Sequence, residues 1–127
     1  MGGRKIRYLN MIMRLIVSIL FALNGIAVCL GKERNFIIQT AIAFAGVAAG
    51  FYFQISFTEW GILLLCFSMV LCLEMVNSAI EQICNFMHKD HHPAIGKIKD
   101  ISAGAVLVAS IFSSIIGCII FIPKLFT

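Results

Sequence analysis

The sequence has 127 residues, of which 61% are hydrophobic and 13% are charged, and its mean hydropathy is +1.00. This composition excludes a soluble globular domain and a disordered chain, because soluble domains carry about 25% charged residues, and the length suits one domain. The net charge of +4 is too small for a nucleic-acid footprint, so no nucleic acid is expected as a partner. We therefore predict an integral membrane protein.

The first predicted element is a helix over residues 8–30, a mostly apolar segment that is interrupted by Arg14, Ser18 and Asn24. Arg14 and Ser18 are four residues apart and therefore share one face of a helix. A polar face on an apolar helix favours an amphipathic helix on the cytoplasmic membrane surface over a fourth membrane span.

Three membrane spans follow. Residues 36–57 and 101–122 contain no charged residue, and each would form a helix about 33 Å long, enough to cross the hydrocarbon core. Residues 60–73 are uncharged but too short to cross alone, so their helix continues through Glu74 to about Phe86. Gly46 and Gly50 form a Gly-x-x-x-Gly pattern, which predicts close helix packing. We predict one domain over residues 1–127 with spans at about 35–54, 60–86 and 100–122.

The basic residues indicate the orientation of these spans. Lysine and arginine are concentrated before the first span and between the second and third spans, whereas the short link "QISFTE" contains neither. Because cytoplasmic segments carry an excess of these residues, the N-terminus is expected in the cytoplasm and the C-terminus outside.

The second span contains a set of polar residues that we call the acidic stripe, within "LEMVNSAIEQICN" at residues 73–85. A carboxylate inside the bilayer costs several kcal/mol unless it faces protein, water or an ion. The two glutamates are roughly 10 Å apart along the helix axis, too far to hold one ion together. Helical spacing places the following residues on one face: Glu74, Asn77, Ser78, Glu81 and Asn85.

The depth of the two carboxylates favours phosphoryl transfer to a lipid. With Asn85 near the cytoplasmic surface, Glu81 can meet water-soluble substrates and Glu74 the polar end of a lipid. Glu81 and Glu33, at the start of the first span, are hard oxygen ligands that suit Mg²⁺ together with substrate phosphates. The sequence has neither a P-loop nor a kinase-type glycine loop, so basic side chains must bind any nucleotide phosphates. The candidates are Arg14, Lys97 and Lys99.

Two other functions stay open from the residues alone. A carboxylate in a membrane span is also typical of small proton-coupled multidrug transporters, although here the glutamates come late and lie toward the cytoplasm. A structural subunit with a hydrogen-bonded helix seam would explain Asn77 and Ser78 but not two glutamates. The link "HKDHH" at residues 88–92 has transition-metal ligands, but a solvated link needs no metal.

The sequence resembles the prokaryotic diacylglycerol kinase family, which includes the undecaprenol kinases. "LEMVNSAIEQICN" is close to the family signature Glu-x-x-Asn-Ser/Thr-Ala-x-Glu, and "KERNF" and "GKIKDISAGAVLVAS" flank it at the correct spacing. The resemblance covers about residues 14–125. It implies an all-α integral membrane protein with an N-terminal amphipathic surface helix and three transmembrane helices, forming a homotrimer in the bacterial inner membrane.

The resemblance further implies ATP- and Mg²⁺-dependent phosphorylation of a membrane lipid alcohol, undecaprenol or diacylglycerol, to its monophosphate. Glu74 resembles the catalytic base that takes the hydroxyl proton, and Glu33 and Glu81 resemble the Mg²⁺ ligands. Lipid contacts are implied at Glu74, Ser78 and Ala103. Nucleotide contacts are implied at Arg14, Phe21, Glu33, Asn77, Glu81, Asp90, His91, His92, Lys99 and Asp100.

Three positions depart from the family pattern. Phe21 stands where tyrosine is common, Asn24 replaces a frequent lysine, and Asn85 replaces the acid that usually follows Glu81 by four residues. The C-terminal "GCIIFIPKL" resembles the undecaprenol kinase branch more than the diacylglycerol branch, which favours undecaprenol as the lipid.

Overall fold

A computed structural model of the protein describes residues 2–87 and 92–127, with side chains from residue 6 onward. These ranges form four α-helices, and the described residues contain no strand, which confirms the all-helical prediction. All four helices are long and apolar enough to cross a membrane. The helices are α1 (Gly2–Lys32), α2 (Arg34–Tyr52), α3 (Phe57–Met87) and α4 (Pro93–Leu125).

The chain divides into two compact units, Met1–Glu33 and Arg34–Thr127, and α1 makes up the first. The hydroxyl of Ser18 donates to the carbonyl of Arg14 at 2.9 Å, so these polar residues share one face as expected. Of the four helices, α1 has the strongest separation of polar and apolar faces. Its length and hydropathy also suit a span, so its location on the membrane surface stays a prediction.

The second unit contains α2, α3 and α4, and its last helix begins earlier than the predicted span. The helix α4 starts at Pro93 rather than near residue 100, because the first helical position needs no backbone N–H and suits proline. The imidazole Nδ1 of His92 accepts a hydrogen bond from the N–H of Ala94 at 3.2 Å and caps this end.

The turn between α2 and α3 is a Schellman motif. The N–H of Ile55 donates to the carbonyl of Gly50 at 3.2 Å, and the N–H of Gln54 donates to the carbonyl of Phe51 at 3.3 Å. Gln54 has a φ of 49°, the left-handed conformation in which glycine is usual. Ile55 is buried beneath the turn, so its packing offsets the cost of this conformation.

A capping box starts α3. The N–H of Ser56 donates to the Glu59 carboxylate at 2.7 Å, and the N–H of Glu59 donates to the Ser56 hydroxyl at 3.2 Å. The same carboxylate pairs with the Lys124 ammonium at 3.2 Å. These contacts join the start of α3 to the end of α4 and fix how the two antiparallel helices are aligned.

The core of this unit is small. A buried cluster of Ile55, Leu63 and Ile120 lies near the α2–α3 turn, and partly buried aromatic side chains pack against it. Many large apolar side chains elsewhere are exposed, including Phe44 at 73% and Phe112 at 62%. Such extensive apolar exposure is expected for surfaces that face lipid or other subunits.

Close packing at the Gly-x-x-x-Gly pattern is confirmed. A Cβ on Gly46 would overlap the ring of Phe67, and one on Gly50 would lie 2.7 Å from Trp60 Cη2 and 3.1 Å from Ile55 Cδ1. Both rings belong to α3, which therefore approaches α2 at its two glycines.

Gly50→Ala is therefore expected to destabilise the protein by about 1–3 kcal/mol, because the methyl group must displace Trp60 and Ile55. Thermal unfolding in detergent measures the change. Gly61→Ala is the matched control, since a Cβ there meets no atom within 4 Å and alanine favours the helix by about 0.5–1 kcal/mol. Equal unfolding temperatures for the two variants would contradict the close approach.

Candidate functional site

The acidic stripe becomes more exposed along α3. Glu74 is 3% exposed and Asn77 is 7% exposed, whereas Glu81 is half-buried and Asn85 is exposed. Exposure thus increases toward the end of α3 that the positive-inside rule assigns to the cytoplasm. The depth of Glu74 and Glu81 in a membrane stays a prediction, because exposure in the single chain does not separate water from lipid.

Glu74 lies in a hollow of about 270 Å³ between the three helices of the second unit, which we call the Glu74 hollow. Of the predicted lipid contacts, Glu74 and Ala103 line it, while Ser78 is only 2% exposed and is not among its lining residues. A carboxylate in such a hollow can accept the proton of a bound hydroxyl group. The lining residues are Asn35, Ile38 and Gln39 of α2, Glu74 and Asn77 of α3, and Ala103, Val106, Leu107 and Ser110 of α4.

Hydrogen bonds connect the acidic stripe to α4. The buried hydroxyl of Ser102 donates to Asn77 Oδ1 at 2.5 Å and also lies 3.0 Å from the carbonyl of Lys99. The Lys99 ammonium donates to Asn85 Oδ1 at 2.5 Å. These hydrogen bonds therefore connect the predicted nucleotide contacts Asn77 and Lys99 with Asn85 of the acidic stripe and with Ser102, which the sequence analysis did not place in the site.

The sequence contained a weak indication that Ser102 belongs to the site, and the sequence analysis did not use it. It follows Lys99 by three residues, so both lie on one side of α4, and it occurs within the quoted "GKIKDISAGAVLVAS". Serine in a span is common as a packing residue, and its bond to Asn77 joins residues 25 positions apart. Only the packing of α3 against α4 reveals its partner.

A second cavity continues from the Glu74 hollow. It has a volume of about 460 Å³, is mostly apolar, and runs between α2, α3 and α4 past Gly46, Phe67 and Ser114; we call it the apolar cavity. Gln39 and Ser110 line both spaces, and the Gln39 amide donates to the Ser110 hydroxyl at 3.4 Å. The carboxylate is therefore next to a space that suits a hydrocarbon chain.

Three predicted nucleotide contacts lie in the first unit. Arg14 and Phe21 line a shallow groove along α1 with Met13, Val17 and Ser18, and the ring of Phe21 is 72% exposed. Glu33 is half-buried, and its N–H donates to the carbonyl of Cys29 at 2.9 Å. An exposed ring can stack on a nucleotide base, and the nucleotide contacts of Arg14, Phe21 and Glu33 stay predictions.

Two further predicted contacts, His92 and Asp100, lie near the start of α4. His92 caps the helix through Nδ1, and Asp100 is exposed on its second turn. Asp90 and His91 lie outside the described residues. His92 therefore has a structural task in addition to the nucleotide contact that the resemblance implies.

The carboxylates are of the ligand type that Mg²⁺ prefers. Within the described ranges, no three His, Cys, Asp or Glu side chains converge as a metal cage. Mg²⁺ usually takes one or two protein carboxylates and completes its shell with water and substrate phosphates. The half-exposed Glu81 is such a ligand, because its hard oxygens are reachable from the more exposed end of α3.

The chain matches known proteins over most of its length. The family model for prokaryotic diacylglycerol kinase matches residues 20–121. The undecaprenol kinase of Bacillus subtilis (strain 168) is 39% identical, and the match covers 91% of this chain and 94% of that protein. The diacylglycerol kinase of Helicobacter pylori (strain J99) is 31% identical over 78% of this chain and 77% of that protein. That of Synechocystis is 31% identical over 87% of this chain and 64% of its own length.

Proposed function

The chain belongs to the prokaryotic diacylglycerol kinase family, and from that membership we propose that it phosphorylates a membrane lipid alcohol with ATP and Mg²⁺. Relatives named undecaprenol kinase and diacylglycerol kinase support lipid kinase activity. Undecaprenol is the proposed lipid, because the relative with 39% identity is an undecaprenol kinase. The transporter alternative has no support among these relatives.

The observation that carries the proposal is the carboxylate of Glu74, 3% exposed in a hollow between three apolar helices. A lipid hydroxyl bound there donates its hydrogen bond to this carboxylate. As the hydroxyl oxygen forms its bond to the γ-phosphorus of ATP, the bond from that phosphorus to ADP breaks and Glu74 takes the proton. The products are the lipid monophosphate and ADP.

Nucleotide binding is assigned to the more exposed end of the acidic stripe. Bound Mg²⁺ would supply positive charge that offsets the charge of the nucleotide phosphates. Within the second unit, Glu81 is the proposed Mg²⁺ ligand and Lys99 supplies positive charge for the phosphates. For the first unit, the resemblance implies a metal ligand at Glu33 and nucleotide contacts at Arg14 and Phe21.

Phosphate transfer from labelled ATP to undecaprenol and to diacylglycerol tests the proposal. The purified protein, folded in detergent or lipid with Mg²⁺ present, is expected to label undecaprenol more efficiently. Greater efficiency with diacylglycerol would show that diacylglycerol, not undecaprenol, is the preferred lipid. The absence of label in both lipids would refute the kinase proposal.

We also propose a homotrimer in the bacterial inner membrane, supported by the family resemblance and by the exposed apolar side chains of α2 and α4. Native mass spectrometry from detergent is expected to show three copies. Cysteine labelling in intact cells is expected to find the N-terminus in the cytoplasm and the C-terminus outside. A monomer, or the reverse orientation, would contradict the respective expectation.

The apolar cavity supports a lipid substrate, because it can hold the hydrocarbon chain next to the hydroxyl group. Ser114 lines the cavity, so Ser114→Phe is expected to lower kcat/KM about tenfold for long-chain alcohols. Displacing two buried methylene groups costs about 0.8 kcal/mol each, which accounts for this factor. Short-chain alcohols, which do not reach the cavity, should lose little.

The matched control is Ile115→Phe, which adds a ring at an exposed neighbour that does not line the cavity. Both variants are assayed with long and short members of the prenol and diacylglycerol series. A loss that is independent of chain length, or equal for the two variants, would show that the cavity does not hold the chain.

A further inference from the structure

Lys99 is held by a neutral side chain. Its ammonium group donates to the amide oxygen of Asn85 at 2.5 Å, across from α4 to α3. Within the part of the chain that the structure describes, Lys99 has no carboxylate within ion-pair distance, and the ion pair found there joins Lys124 to Glu59. The cation near the acidic stripe is therefore fixed in position without being neutralised.

The backbone of Lys99 is constrained as well. Its carbonyl lies 3.0 Å from the buried hydroxyl of Ser102, and that hydroxyl donates to Asn77 Oδ1 at 2.5 Å. Asn85 holds the tip of the side chain, so Lys99 is restrained at both ends. An ordered lysine loses less conformational entropy when it binds a phosphate than a freely rotating one.

The chemistry of the partner decides how much charge is left for a ligand. An amide oxygen accepts a hydrogen bond but carries no net charge, so it does not form an ion pair with the Lys99 ammonium group. A carboxylate in the same place would form an ion pair and compete with phosphate oxygens for the ammonium group.

We propose that Asn85 is a positioning residue which holds the Lys99 ammonium group, without neutralising it, for the phosphates of the nucleotide. The inference rests on the proposed kinase function and deepens it, since it gives a position next to the proposed nucleotide site a defined task. Asn85 touches neither reacting atom; it acts through Lys99.

Asn85→Asp is the decisive variant. The new carboxylate pairs with Lys99, so the KM for MgATP is expected to rise about tenfold while the KM for the lipid stays within about twofold. Asn85→Ala removes the hydrogen bond to Lys99 but adds no charge, so it should raise the KM for MgATP by less than Asn85→Asp does. In a Lys99→Met background, both changes should have little further effect, because their target is gone.

Gln82→Glu is the matched control. It adds the same charge at an exposed position three residues earlier on α3, and we expect a smaller rise in the KM for MgATP than with Asn85→Asp. Thermal unfolding confirms that each variant is folded. An equal rise in the KM for MgATP in the two acidic variants would show that any added negative charge has this effect, and it would overturn the proposal.

MgATP binding, measured by calorimetry without lipid, separates this inference from the proposed function. The inference would be supported if Asn85→Asp weakened MgATP binding and if the same change had no effect in the Lys99→Met background. This result would hold even if no lipid were phosphorylated. Unchanged or tighter binding in Asn85→Asp would overturn it, because an acid there would then be neutral or act as a Mg²⁺ ligand.

Discussion

Glu74→Gln is expected to lower kcat by about 10²–10⁴-fold, the usual contribution of a general base, while MgATP binding stays nearly unchanged. Glutamine keeps the size of the side chain and one acceptor oxygen but cannot take the hydroxyl proton. Glu74 is 3% exposed in its hollow, so water cannot readily replace it as the base. Single-turnover phosphate transfer and calorimetric titration with MgATP measure the two quantities separately.

Glu59→Gln is the matched control for this variant. It makes the same chemical change on the same helix, but Glu59 lies at the opposite end of α3, where it pairs with Lys124 at 3.2 Å. We expect little loss of stability, because solvent screens a surface ion pair, and nearly full activity. Retained turnover in Glu74→Gln would instead favour a structural seam, and an equal loss of nucleotide binding would refute the division between the two glutamates.

Glu81→Gln is expected to weaken MgATP binding at least about tenfold, because interactions with charged groups contribute about 1.5–3 kcal/mol. Its carboxylate is half-buried near the more exposed end of α3, where it can reach a metal-bound phosphate. Raising the Mg²⁺ concentration should recover part of the binding, since the amide still offers one neutral oxygen ligand.

The two glutamates serve as controls for each other. Glu81→Gln should raise the dissociation constant for MgATP much more than Glu74→Gln, and Glu74→Gln should lower the rate of the chemical step more at saturating nucleotide. Unchanged affinity in Glu81→Gln, at both low and high Mg²⁺, would remove this residue from the metal site.

The helices could be predicted from the sequence because the patterns that indicate them are local. A run of 22 uncharged residues is long enough to span a membrane whatever its neighbours are. The helix α4 begins before the predicted span, because Pro93 and the His92 cap start the helix before the apolar run begins. The ends of two apolar runs located the α2–α3 link, but the conformation of its turn had no sequence signal, because glutamine rather than glycine adopts the left-handed conformation there.

The acidic stripe was predictable for the same reason, since residues spaced by three and four share a helix face in any context. The hydrogen-bond partners of these residues could not be predicted in this way. Ser102 meets Asn77 and Asn85 meets Lys99 across 25 and 14 residues of chain, and these pairs exist only because α3 and α4 pack in one alignment.

The apolar cavity depends still more on packing. Its walls come from three helices whose residues are unremarkable one by one, and its volume is the space that their side chains leave unfilled. Periodicity along one helix therefore sets which residues face inward and how deep each carboxylate lies. The packing between helices decides which groups those residues touch and where a lipid chain has room, because contacts between distant segments are not encoded in local spacing.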